Sequence, residues 1–154
     1  MLQVAGVPFT EHQIRKAAQA GISEIVLATS YKAELFEPYF GDGAKFGIKI
    51  KYAVEESALG TGGGIRNAAA LLDDCDQVVI FNGDVLTGLD IAGLVQKWRD
   101  ADADVALYLT RVEDSRAYGL VPTDAKGRVL EFLEKPTTPE EIVTDQINAG
   151  CYIF

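Results

Sequence analysis

The sequence predicts an α/β domain with a mixed, mainly parallel sheet. Helix-spaced and strand-like apolar segments alternate through roughly the first two thirds of the chain. Strand-like segments then dominate, which adds an antiparallel part. Of the 154 residues, 48% are hydrophobic, so a chain of ordinary single-domain length can bury a sizeable core.

The elements follow in order. Thr10 and Gln13 suggest a capping box for a helix over 10–20. Ile14, Ala17, Ala18 and Gly21 mark one face of it, and Gly21 is the stop signal. EIVLAT, 24–29, reads as a buried strand. KAELFEPYF, 32–40, has helical spacing in Leu35, Phe36, Tyr39 and Phe40, with Pro38 weakening its end. In 47–56, Ile48, Ile50, Tyr52 and Val54 alternate with Lys49 and Lys51, a strand pattern. A glycine run, Gly60 to Gly64 broken only by Thr61, precedes a helix through Leu72. The run 77–84 is an apolar strand closed by Asp84, and 89–101 is an amphipathic helix that places Trp98 in the core. Segments 104–110, 119–124, 128–135 and 146–154 read as strands.

Composition narrows the function. A net charge of −9 argues against nucleic-acid binding, which needs a basic face to displace counterions. Small anionic substrates need only a few local cations and remain compatible. Cys75 and Cys151 form no CxxC pair, and the single histidine, His12, cannot complete a zinc set with them. Both cysteines read as small core residues in a reducing, cytoplasmic setting, and His12 as a surface or packing residue. No apolar run reaches the ~18 residues of a membrane span, and the first residues do not resemble a signal peptide. The chain opens almost directly on a helix and ends inside an apolar strand, so it is expected to be a fragment, or the ordered part, of a longer protein.

Ligands of open α/β sheets sit beyond the carboxyl ends of strands, which points to 55–66 and 82–87. The glycine run fits neither the G-x-G-x-x-G fingerprint, since Ile65 holds the sixth place, nor a P-loop. It leaves a choice between a helix N-terminus that binds an anion or a base edge and a tight turn packed on the sheet. Asp84 either holds Mg²⁺ through hard oxygen coordination or faces water after an Asn82-Gly83 turn. Glu134 and Lys135 are neighbours on a strand and point to opposite faces, so they are not an acid–base couple. Gly150 in its apolar strand, and Gly119 in AYGLV, mark either a bulge or a close ligand. One histidine supports no Ser–His–Asp set, and no paired-carboxylate hydrolase stands out.

In order along nearly the whole chain, VAGVPFTEHQIRKAAQAGISEIVLATSY, EESALGTGGGI, FNGDVL, YGLVPTD, FLEKP and INAGCYIF resemble the nucleotide-sugar pyrophosphorylases. The likeness is strongest to mannose-1-phosphate guanylyltransferases of bacteria. It implies a Rossmann-like nucleotidyltransferase domain, here incomplete at both ends, occupying 1–154. It also implies transfer of a nucleotide from a nucleoside triphosphate to a sugar 1-phosphate, with Mg²⁺, in-line attack on the α-phosphorus and release of pyrophosphate. Association of subunits is common in the family.

Residue by residue, the resemblance makes Asp84 the metal-binding Asp and Lys135 the cation on the sugar phosphate. It puts Glu55, Glu56, Gly60 and Thr61 at the nucleotide, with Glu55 and the Gly60 backbone at the base edge. Gly119, Glu134, Asn148 and Gly150 fall on the sugar side. Family members open with a strand and a GGxGTRL-type loop followed by Lys-Pro, carry a second metal Asp further on, and often end in a β-helix domain. The sequence given lacks these parts and is expected to be inactive, or nearly so, by itself. Two other readings stay open: a non-catalytic relative that binds or regulates, and an enzyme for dTTP or UTP with glucose 1-phosphate.

Overall fold

The computed structural model describes residues 1–72 and 75–154. Two compact units make up the chain: Met1–Gln77 with Leu86–Gln96, and Val78–Val85 with Lys97–Phe154.

The first unit begins with a short antiparallel hairpin of β1 (Gln3–Val4) and β2 (Val7–Pro8), where the sequence suggested no opening strand. Ala5 and Gly6, both at positive φ, make its two-residue turn. Helix α1 (Phe9–Gln19) follows, close to the expected span. Its capping box does not form: Pro8 holds the N-cap position and no side chain caps the helix. The far end closes as expected at Gly21, at φ +83, with Ile22 N–H donating to Ala17 C=O and Gly21 N–H to Ala18 C=O.

β3 (Glu24–Thr29) and β4 (Lys49–Val54) form a parallel pair in continuous register, from Glu24 opposite Lys49 to Thr29 opposite Val54. Glu24 receives Lys49 and Lys51 at 2.9 Å each, and these cations hold its carboxyl below the usual range. Ile48 and Ile50 are buried as the alternation required, but Ala53 rather than Val54 is buried at the strand's end.

Segment 32–40 is not one helix. A single turn at Ala33–Leu35 is followed by α2 (Glu37–Phe40), with Pro38 in the first turn of α2. Proline has no N–H to continue a helix entering from residue 34, yet it suits a helix start. Of Leu35, Phe36, Tyr39 and Phe40, only Phe40 is buried. Tyr39 meets it edge-on, with ring centroids 4.9 Å apart. Helix α3 (Gly60–Ala69) packs against β3, and Ile91, buried, opens α4 (Ile91–Asp100).

The second unit is built on a three-stranded sheet. β7 (Gln146–Ile153) lies between β5 (Val79–Phe81) and β6 (Ala106–Arg111), antiparallel to both. β5 and β6 therefore run parallel to each other without pairing. Among the described residues, parallel pairing is confined to β3–β4, so the sheet content is mixed but not mainly parallel. The sequence order showed the strands but not that β7 returns to separate two of them. Segments 119–124 and 128–135 reduce to isolated bridges, Leu120 to Leu133 and to Ile147, and Thr123 to Val129. Leu120, Val121, Ile147, Cys151 and Ile153 form this unit's core. Each such aliphatic side chain contributes about 1.5–3 kcal/mol when fully buried. Cys151 is buried as expected, whereas Cys75 is exposed.

Candidate functional site

The site residues expected from the sequence fall into two groups, one in each unit. In the first, Glu55 follows β4 directly. Its N–H donates to Thr29 C=O at 2.8 Å and extends the parallel ladder by one step. Glu55 thus stands at the carboxyl end of the parallel pair, where α/β sheets collect ligands. One oxygen of its side chain accepts the Leu59 N–H at 3.2 Å, immediately before α3. A Cβ on Gly64 would lie 2.6 Å from the other oxygen, so the missing side chain is what admits the carboxylate there. Negative charge at a helix start is favoured by the macrodipole.

The glycines of this run divide into two sorts. They do not form a loop ahead of a helix, as the sequence suggested, but lie within the first turns of α3. Gly63 and Gly64 are packing positions: a Cβ on Gly63 would be 2.7 Å from Leu59 Cβ. Gly60 and Gly62 have nothing within 4 Å of such an atom. Glu56, Gly60 and Thr61 are exposed. Close packing and an open, exposed face thus share one segment.

In the second unit, the strand-like arm at Leu133 is held by reciprocal hydrogen bonds with Leu120, at 2.8 and 3.0 Å. That pairing sets Glu134 beside Gly119, where Glu134 Oε2 is 3.3 Å from the position of a Gly119 Cβ. Asn148 N–H donates to Gly119 C=O at 3.1 Å. Asn148 Nδ2 donates to the Tyr152 hydroxyl at 2.7 Å, and its Oδ1 accepts the Gly150 N–H at 3.0 Å. Gly119, Glu134, Asn148 and Gly150 are therefore brought together. Lys135, exposed, follows at φ +40, a left-handed conformation uncommon for a residue with a side chain.

Asp84 is exposed in a turn that leaves β5 at Asn82 and closes with Val85 N–H donating to Asn82 C=O at 3.3 Å. Among the described residues no three His, Cys, Asp or Glu gather as a metal cage. One free-standing carboxylate nonetheless suits Mg²⁺, which takes one or two carboxylates and completes its shell with water and substrate phosphates. Asn82 was read from the sequence only as a turn former. Its side chain lies against Gly150: a Cβ there would be 2.8 Å from Asn82 Nδ2 and 2.9 Å from its Cβ and Cγ. The glycine inside an apolar strand was the only signal of this contact. His12 is a packing residue, with Nε2 2.9 Å from Val4 O.

The family profile described as nucleotidyl transferase matches residues 1–154. The chain belongs to the nucleotidyl transferase family. A mannose-1-phosphate guanylyltransferase of Mycobacterium tuberculosis is 53% identical over 154 residues, 100% of this chain and 42% of that protein. A UTP–glucose-1-phosphate uridylyltransferase of Synechocystis is 34% identical over 167 residues, again 100% of this chain and 42% of its own length. The crystal structure of HddC from Yersinia pseudotuberculosis complexed with GMP-PN superimposes with a TM-score of 0.82 at 27% identity, covering 100% of this chain and 65% of that one. The chain thus spans less than half the length of these two curated relatives. The Rossmann-like nucleotidyltransferase fold implied by the sequence is the fold of the nucleotidyl transferase structures it matches. Among the described residues, no helix is long and apolar enough to cross a membrane.

Proposed function

We propose that the protein is a sugar-1-phosphate nucleotidyltransferase joining mannose 1-phosphate to GTP. The observation that carries this reading is the 53% identity to a mannose-1-phosphate guanylyltransferase across all 154 residues. In the reaction, a phosphate oxygen of the sugar 1-phosphate bonds to the α-phosphorus as the α–β bridging P–O bond breaks. Pyrophosphate leaves with the electron pair of that bond. No covalent intermediate on the protein is needed, so the residues act by positioning and charge.

Glu55 and the open Gly60 face, with Glu56 and Thr61 beside them, take the nucleobase. A carboxylate is a suitable acceptor for guanine N–H donors. Glu134 accepts hydrogen bonds from sugar hydroxyls next to Gly119, and Asn148 and Gly150 complete that side. Lys135 meets the sugar phosphate. Asp84 would hold Mg²⁺, which when bound offsets charge on the phosphates. The same reading sets the protein in the cytoplasm, where nucleoside triphosphates are made available and thiols stay reduced. It also has the subunits associating with one another, measurable as mass in solution by light scattering.

The test uses the intact gene product with GTP, mannose 1-phosphate and Mg²⁺, following pyrophosphate. Turnover supports the reading. Turnover with UTP or dTTP and glucose 1-phosphate instead would move the substrates while keeping the reaction class. The 34% identity to a uridylyltransferase is the observation behind that second reading.

A further inference from the structure

Gly150 is more tightly engaged than a residue that merely makes room for a ligand. It is buried, at φ +67, within an irregular stretch of β7. Leu107 pairs with Tyr152 and Leu109 with Asn148, so Ala149, Gly150 and Cys151 stand opposite Tyr108 alone. Such a bulge re-aims the backbone locally. Both polar groups of Gly150 are used: its N–H donates to Asn148 Oδ1 at 3.0 Å, and its C=O accepts the Asn82 N–H at 2.8 Å. Its bare Cα faces the Asn82 side chain, which occupies the space a Cβ would need.

Asn82 is in turn the first residue of the turn carrying Asp84, closed by the Val85 N–H to Asn82 C=O contact. The β5–β7 ladder ends at Phe81 opposite Cys151, one step before this contact. The Asn82–Gly150 seat is thus the last fixed point after β5 before the chain turns out to Asp84. We infer that Gly150 and Asn82 are positioning residues for Asp84: the β7 bulge seats Asn82, and Asn82 sets the turn that presents the metal-binding carboxylate. This inference rests on the proposed reaction and gives Gly150 a duty beyond lining the sugar side.

The test compares Asn82→Ala, Gly150→Ala and the double variant in the intact gene product. Pyrophosphate release is measured against Mg²⁺ and against sugar phosphate, and amide hydrogen exchange is followed over 82–85. Each single variant should raise the half-saturating Mg²⁺ concentration roughly tenfold, and in Asn82→Ala the sugar phosphate KM should stay within about twofold of the parent. The double variant should do no worse than the more affected single one, because both break the same seat. Exchange over 82–85 should be faster in each. An unchanged Mg²⁺ requirement with a raised sugar phosphate KM overturns the inference and leaves Gly150 as a pocket residue. Should Gly150→Ala fail to fold, Asn82→Ala carries the same comparison alone. Should the parent release no pyrophosphate from any substrate pair, the reaction assignment fails by itself. The exchange measurement then decides here: faster exchange supports the seat, and unchanged exchange overturns it.

Discussion

Glu55 lies on Gly64: a Cβ on the glycine would fall 2.6 Å from the Glu55 carboxylate. Gly64→Ala would improve helix propensity by up to about 1 kcal/mol while pushing the carboxylate off the start of α3. The far end of a side chain moves at little cost, so thermal stability should stay level or rise slightly. If Glu55 reads the base, the KM for GTP should rise several-fold with mannose 1-phosphate KM unaltered. Equal nucleotide KM values in parent and variant would show that the contact serves packing only.

Asp84→Asn keeps the size and turn geometry of the residue but, on the proposed reading, weakens a hard anionic ligand. Turnover should fall on the order of 100-fold at ordinary Mg²⁺, with the melting temperature preserved. Activity near the parent's at low Mg²⁺ would leave Asp84 as a turn residue.

If Lys135 meets the sugar phosphate as proposed, Lys135→Ala removes a charge-assisted contact and the KM for the sugar phosphate should rise roughly tenfold. The GTP KM is the internal control, and a matching rise there would indicate a general disturbance of the protein.

Glu11 supplies a prediction about pH. It is buried in α1, bonded by Arg15 Nε at 2.7 Å and by the Tyr39 hydroxyl at 2.9 Å. Burial pushes its carboxyl up, but the bonds from Arg15 and Tyr39 and the nearby cations outweigh this and hold it below the usual 4.5. A carboxyl depressed on folding contributes stability above its unfolded value. That contribution is lost as pH falls through the lower, folded value. Melting temperature should therefore drop as pH falls below about 4.5, and the drop should be shallower in Glu11→Gln. At neutral pH Glu11→Gln should cost about 1–3 kcal/mol, through the weakened bonds to Arg15 and Tyr39. Parallel pH profiles for the two proteins would rule out the linkage.

Much of the fold was legible because some segments leave few choices. EIVLAT is an unbroken apolar run from Ile25 to Ala28, too short for a helix, and β3 occupies Glu24–Thr29. Gly21 can stop a helix at positive φ, and it does. Other segments depended on partners that the sequence does not name. Pro122 removes a ladder donor from 119–124, and Asp124 N–H turns instead to Arg128 C=O at 2.9 Å, so two expected strands shrink to bridges. Ala5 at positive φ carries no compositional sign of a turn, which hid the first hairpin. The site shows the same split. Asp84, Glu134 and Asn148 could be picked out as types at suggestive places. That Gly63 and Gly64 face inward while Gly60 and Gly62 face open space depends on the pitch of α3, and four like residues cannot reveal it. The seat of Asn82 on Gly150 joins residues far apart in the chain, beyond the reach of any local pattern.

β7 holds Asn148 and Gly150 and, among the described residues, is the sheet neighbour of both β5 and β6. It is the spine of its unit, and the slowest amides to exchange should be found along it. An opening that frees β7 would at once release the Asp84 turn and scatter the residues around Gly119. On the proposed reading the activity depends on these residues, so its loss on heating should track exchange in this one strand.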